Sequence, residues 1–149
     1  MKSEIPTLHV ASVRAGDART VLVCFDNGKT CPIDLGERIR QVKGLKPLAD
    51  RRRFARVTVG EDGHSIAWPG EIDIGADRLF ELALEQSGRA GNAEFIRWRW
   101  RNGLSLSKAA EALGLSRRQV AYYVSGEQQV PRTVLLACKG WEVERQAAA

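Results

Sequence analysis

The sequence predicts a two-part chain: an α+β domain of antiparallel hairpins plus a helix, then an all-α domain. Three observations carry this. The first 75 residues hold β-branched runs closed by Asn27-Gly28 and Asp62-Gly63, which are hairpin signals. From Ala93 onward the apolar residues recur at helical spacing, with no strand signal. Between them Ser87-Gly88-Arg89-Ala90-Gly91-Asn92 is small and polar and reads as a linker. The expected bounds are 1–87 for the α+β domain, 88–92 for the linker and 93–149 for the helical domain with its tail.

Taken in order, a strand is expected near Leu8 to Val13. Thr20 to Phe25 is a second, and Asn27-Gly28 turns it into a third. A two-residue loop there sets Phe25 opposite Thr30 and Cys24 opposite Cys31, within disulfide reach, although a reducing cytosol should keep both thiols free. Leu35 to Leu48 is irregular or briefly helical. A second hairpin runs Phe54 to Trp68, with Val59 opposite Ile66 and Val57 opposite Trp68 as an apolar face. Trp68-Pro69-Gly70 breaks the sheet. Ala76 to Gln86 is helical, its stripe being Leu79, Leu82, Ala83 and Gln86.

In the second part, Asn92 caps a helix on which Phe95 and Trp98 form one stripe, Ile96 and Trp100 another. The second stripe needs cover, from the N-terminal part or a second subunit. Ser105 caps a short helix carrying Leu106, Ala109, Ala110 and Leu113. Gly114 permits a left-handed turn. Ser116 with Gln119 makes a capping box for the next helix, about 116–125, whose Val120 faces inward with Tyr123 or Val124. Gly126 ends that helix, and Pro131 starts another.

Composition excludes several classes. The chain has 149 residues, is 44% hydrophobic and 28% charged, and carries +5 at pH 7, which is ordinary globular composition. No window reaches the ~20 apolar residues of a membrane helix, and Met1-Lys2-Ser3-Glu4 opens no signal peptide. A cytoplasmic protein is expected. Residues 91–149 hold nine basic and five acidic residues, so most of the excess charge sits in the helical part, as expected of an anion-binding end. Three cysteines without C-x-x-C spacing and two distant histidines argue against a metal site. No cofactor loop and no acid–base or nucleophile constellation is seen, so no enzyme is expected. Arg51-Arg52-Arg53 reads as a solvated face.

Ala110, Gly114, Val120, Gly126 and Pro131 resemble the Cro and phage-repressor type of helix-turn-helix over roughly Phe95 to Val130. That resemblance implies sequence-specific binding of double-stranded DNA, with the second helix in the major groove, as in a transcriptional regulator. It places Arg117, Arg118, Ala121 and Tyr122 at base-readout positions, arginine being suited to guanine. Ser107, Lys108 and Ser116 fall where phosphate is contacted. A small module of this kind binds best as a homodimer. Two positions depart: Leu106 stands where the family often has Gln. Arg99 aligns with an Arg that the family often pairs with a Glu, but Val124 stands at the Glu position.

Phe25-Asp26-Asn27-Gly28, Ile33-Asp34-Leu35, Phe54 and Trp68-Pro69-Gly70-Glu71-Ile72-Asp73-Ile74 resemble a widespread small bacterial domain of unknown function, over about residues 7–86. Its two-domain members carry a phage-repressor-like domain behind it and end in a stretch similar to Val134–Glu142. Members also occur beside small toxin-like partners. The alternative reading is therefore a protein-interaction module or the antitoxin-like half of a toxin–antitoxin pair.

Overall fold

A computed structural model describes residues 8–148; the opening Met1-Lys2-Ser3-Glu4 lies outside them. The chain divides into two units, Thr7–Gln86 and one beginning at Ser87. The first has an antiparallel-sheet architecture with helices; the second consists of helices.

In the first unit β1 (Val10–Ala15), β2 (Thr20–Phe25) and β3 (Thr30–Asp34) form an antiparallel meander in that order. The alternation of β2 buries Val21, Val23 and Phe25 and turns Leu22 and Cys24 the other way, the period-2 pattern of a half-covered sheet. A short helix α1 (Gly36–Gln41), a 3-10 turn (Lys43–Ala49) and α2 (Arg51–Phe54) connect to a second sheet. That sheet is β4 (Thr58–Val59), β5 (Ser65–Trp68) and β6 (Ile72–Gly75), again in sequence order. The helix α3 (Ala76–Gln86) closes the unit. Its Phe80 ring meets that of Phe25 edge-on at 5.2 Å. Gln86 fastens α3 to β3: its side chain accepts from the Asp34 N–H and donates to the Asp34 carbonyl, both at 2.9 Å.

Four expectations change here. The first hairpin is one residue out of the expected register. Asn27 does not take positive φ; only Gly28 does, at +85°, so the loop is three residues closed by Gly28 N–H to the Phe25 carbonyl and Phe25 N–H to the Lys29 carbonyl. Val21 then faces Ile33, and both are fully buried. The expected register would have set Val21 against Asp34, so burial decides between the two. Cys24 faces Thr30 and Cys31 faces Val23. The two thiols project from opposite faces of the sheet and are free; they are not the cross-strand neighbours expected.

Second, Trp68-Pro69-Gly70 does not end the sheet but turns it. Gly70 and Glu71 both take positive φ, and Ile72 returns opposite Trp68. Third, Phe54 ends α2, whose first turn is capped by Asp50, instead of opening a strand. Val59 does face Ile66, but it stands 38% exposed on a two-residue edge strand. The Trp68 indole N–H donates to the Phe54 carbonyl at 2.9 Å, which satisfies the polar end of a buried ring. Fourth, α3 has the expected bounds but turns a different stripe inward: Leu79, Phe80, Ala83 and Leu84 are buried, Leu82 only partly, and Gln86 is exposed.

The second unit has α4 (Ala90–Arg101), α5 (Leu106–Leu113), α6 (Arg117–Ser125) and α7 (Arg132–Ala148). Its core gathers Phe95, Trp98, Leu104, Ala109, Ala110, Val120, Tyr123, Val130 and Cys138. Burial pushes the Cys138 thiol up to about 12, which keeps it a protonated core group. The linker expected over 88–92 is shorter, because Ala90, Gly91 and Asn92 belong to α4. Asn92 is not a cap. It is fully buried, donating to the Tyr123 and Gln128 carbonyls at 2.9 and 2.7 Å and accepting from the Val130 N–H at 3.1 Å. Gly91 leaves room for this: a Cβ there would stand 3.3 Å from Leu135 and 3.4 Å from the Val130 carbonyl. Ile96 is buried and Trp100 partly so.

Candidate nucleic-acid interface

The pair α5 and α6 is built by local chemistry. Ser105 Oγ accepts from the Lys108 N–H at 3.1 Å and starts α5. Gly114, at φ +71°, ends it in the left-handed conformation, where a side chain would be strained. Ser116 Oγ accepts from the Gln119 N–H at 3.0 Å and starts α6. Only this half of the expected capping box forms. The Gln119 side chain instead donates to Gln128 Oε1 at 2.8 Å. Gly126, at φ +80°, ends α6. Ala109, Ala110 and Val120 are buried where the helices meet, and small residues there let the backbones approach.

The opposite side of α6 is open. Ser116, Arg117 and Arg118 are exposed; Ala121 and Tyr122 are half-buried. Ser107 and Lys108 are exposed at the start of α5. The structure joins two of these residues. Arg118 Nε donates to Tyr122 Oη at 2.9 Å, and its guanidinium carbon lies 5.5 Å from the Tyr122 ring centre. That contact orients the guanidinium while leaving both terminal nitrogens, with four N–H donors, pointing elsewhere. Lys108 lies 3.7 Å from Glu111, with both side chains well exposed; such a pair holds weakly and can be exchanged for a phosphate.

The departures from the phage-repressor pattern have a structural consequence. Arg99 is 1% exposed. Its Nη1 donates to the Leu104 carbonyl at 3.0 Å and its Nε has no partner among the described residues; burial lowers its pKa. The work of tying α4 to the end of α6 is done by Asn92 through the Tyr123 and Gln128 carbonyls, a role that spacing alone did not reveal. At the other end of α4, Arg101 pairs bidentately with Glu142 of α7 at 3.0 and 2.9 Å, and Asn102 adds a third bond at 2.9 Å. These bonds, the Arg101 one foremost, hold the Glu142 carboxyl below its usual range.

Comparison with known proteins bears on the first unit directly. The model of a family described as "Protein of unknown function (DUF2442)" matches residues 10–85. The chain belongs to this family. The DUF2442 match thus covers the two sheets and nearly all of α3, and stops before α4. No curated protein matches the chain. Over 97% of its length the chain is similar to the crystal structure of the "Putative DNA Binding Protein NE0471" from Nitrosomonas europaea ATCC 19718, with 36% identity, 92% of that chain covered and a TM-score of 0.70. The likeness therefore extends through both units. Among the described residues no helix is long and apolar enough to cross a membrane.

Proposed function

We propose that the chain is a cytoplasmic, non-enzymatic regulator that binds double-stranded DNA through a phage-repressor-like helix-turn-helix formed by α5 and α6. The observation that carries this is the exposed row Ser116, Arg117, Arg118 on a helix capped at both ends and backed by a buried face. The name carried by the similar Nitrosomonas protein supports the same reading. In it α6 lies in the major groove. Arg117 and Arg118 donate to base edges, Ala121 and Tyr122 line the same face, and Ser107, Lys108 and Ser116 contact phosphate. Tyr122 positions Arg118 through its hydroxyl.

The active form is a homodimer in this reading, because one small helical module buries little of the duplex. Leu136 and Val143, 49% and 65% exposed on one face of α7, offer it apolar surface.

Selection from a random duplex library with the full chain tests both parts. Two-fold symmetric sites with half-sites ~34–36 Å apart are expected; asymmetric sites would remove the dimer. Against the selected site, Arg118→Ala should cost about 1–3 kcal/mol and relax preference at one base pair. An unchanged affinity and preference would remove α6 from the groove. A chain that captured a protein partner and no duplex would fit the antitoxin-like alternative.

A further inference from the structure

Charge is distributed very unevenly within the DUF2442 unit. Residues 36–56 hold eight basic and two acidic side chains, a balance of +6. The rest of the unit, 7–35 and 57–86, holds four basic and ten acidic ones, a balance of −6. The whole looks neutral by composition, yet it is strongly polarised along the chain. The basic segment is one packed piece, since the 3-10 turn Lys43–Ala49 packs on both α1 and α2. Ile39, Leu45, Leu48 and Phe54 are buried and anchor its underside. The cations lie outward. Arg40, Lys43 and Lys46 are exposed on α1 and the turn; Arg51, Arg52, Arg53 and Arg56 are exposed on and just after α2.

The two acids of the segment do not neutralise them. Asp50 accepts from the backbone N–H groups of Arg52 and Arg53, and Glu37 accepts from the Gln41 amide. Among the described residues none of these seven cations forms an ion pair with a carboxylate. Exposed like charges gathered on one packed segment repel one another, and a polyanion relieves that repulsion. Five of the seven are arginines, whose planar fork suits phosphate oxygens. They are exposed in succession along residues 40–56, which suits a line of phosphates better than a single small anion. Duplex DNA presents such a line, about one charge per 1.7 Å of axis.

We propose that this basic face of the DUF2442 unit is a second phosphate-backbone contact, which grips duplex DNA without reading its sequence. It rests on the helix-turn-helix reading only in taking duplex DNA as the polyanion. On this proposal Arg51, Arg52 and Arg53, which read from the sequence as a solvated face, take a binding role.

The test uses the full chain, a mixed-sequence duplex and the variant R51Q/R52Q/R53Q/R56Q, with Arg118→Ala measured alongside. Asp50 is retained, so the cap of α2 survives. A thermal melt checks the fold, and R40Q/K43Q/K46Q interrogates the same face if the first set does not fold. The expected result is an affinity about tenfold weaker or more at low salt, with the slope of log K against log salt shallower by about 2–4. Parent affinity and parent slope in the folded variant would overturn the proposal, whatever Arg118→Ala does. Loss of binding in the arginine-to-glutamine variant, with Arg118→Ala unchanged on the selected site as well, would leave the proposal standing and remove the helix reading. Loss of binding to phosphatidylserine vesicles, with duplex affinity unchanged, would assign the face to a membrane and overturn it.

Discussion

Asn92→Ala should destabilise the helical unit by about 2–5 kcal/mol, because three hydrogen bonds vanish, two of them buried, and the Val130 N–H loses its partner in the interior. The side chain is 0% exposed, and its amide satisfies the Tyr123 carbonyl, the Gln128 carbonyl and the Val130 N–H together. Truncation leaves two carbonyls and one N–H without that partner. Water cannot restore them cheaply, since the clip lies beside Gly91, where even an added Cβ would stand only 3.3 Å from Leu135 and 3.4 Å from the Val130 carbonyl. Asn92→Asp should also fail: a carboxylate keeps the Val130 bond but sets negative charge against two carbonyl oxygens. Urea unfolding followed by tryptophan fluorescence measures both. A loss below ~0.5 kcal/mol for Asn92→Ala would mean that the three bonds contribute little, the level of an ordinary surface change.

Trp98→Ala should remove about 3–5 kcal/mol, enough to unfold a helical unit of this size at room temperature. Trp98 is 2% exposed, with its ring 5.5 Å from the ring centres of both Phe95 and Trp141. It therefore joins α4 to α7 at the middle of the core. Phe95 in turn meets Tyr123 of α6 edge-on at 5.5 Å, so the cavity would reach the base of the proposed recognition helix. Circular dichroism should show a loss of helical signal. A cooperative melt at the parent temperature would contradict the packing described.

These two positions show where sequence reading succeeds and where it stops. Trp98 is legible because Phe95 and Trp98 recur at helical spacing, and that period alone puts them on one buried stripe. The ends of α5 and α6 are legible because Ser105, Ser116, Gly114 and Gly126 act through hydrogen bonds and dihedrals within a few residues of themselves. Asn92 is not legible: its partners lie 31 to 38 residues onward, and a polar residue before a helical run looks like a cap.

The first hairpin fails for a related reason. Asn27-Gly28 suits a two-residue or a three-residue loop, and only the pairing of Val21 with Ile33 chooses between them. The strand β6 is missed because four residues, with only Ile72 and Ile74 alternating, are outweighed by the Pro69-Gly70 signal. On the candidate interface, the exposure of Arg117 and Arg118 follows from helical phase. The bond from Arg118 to Tyr122 lies at i,i+4 and could have been inferred from that spacing. The charge polarity of the DUF2442 unit is also in the sequence, but a balance taken over residues 1–90 averages it away.

On the DNA-binding reading, the open side of α6 meets the duplex. Backbone amide shifts of the isotope-labelled full chain, followed while a selected duplex is titrated in, test it most directly. The amides of 105–108 and 116–122 should shift most in the helical unit, and raising salt should reverse the change. Shifts confined to other parts of the chain, with 116–122 unmoved at saturating duplex, would contradict it.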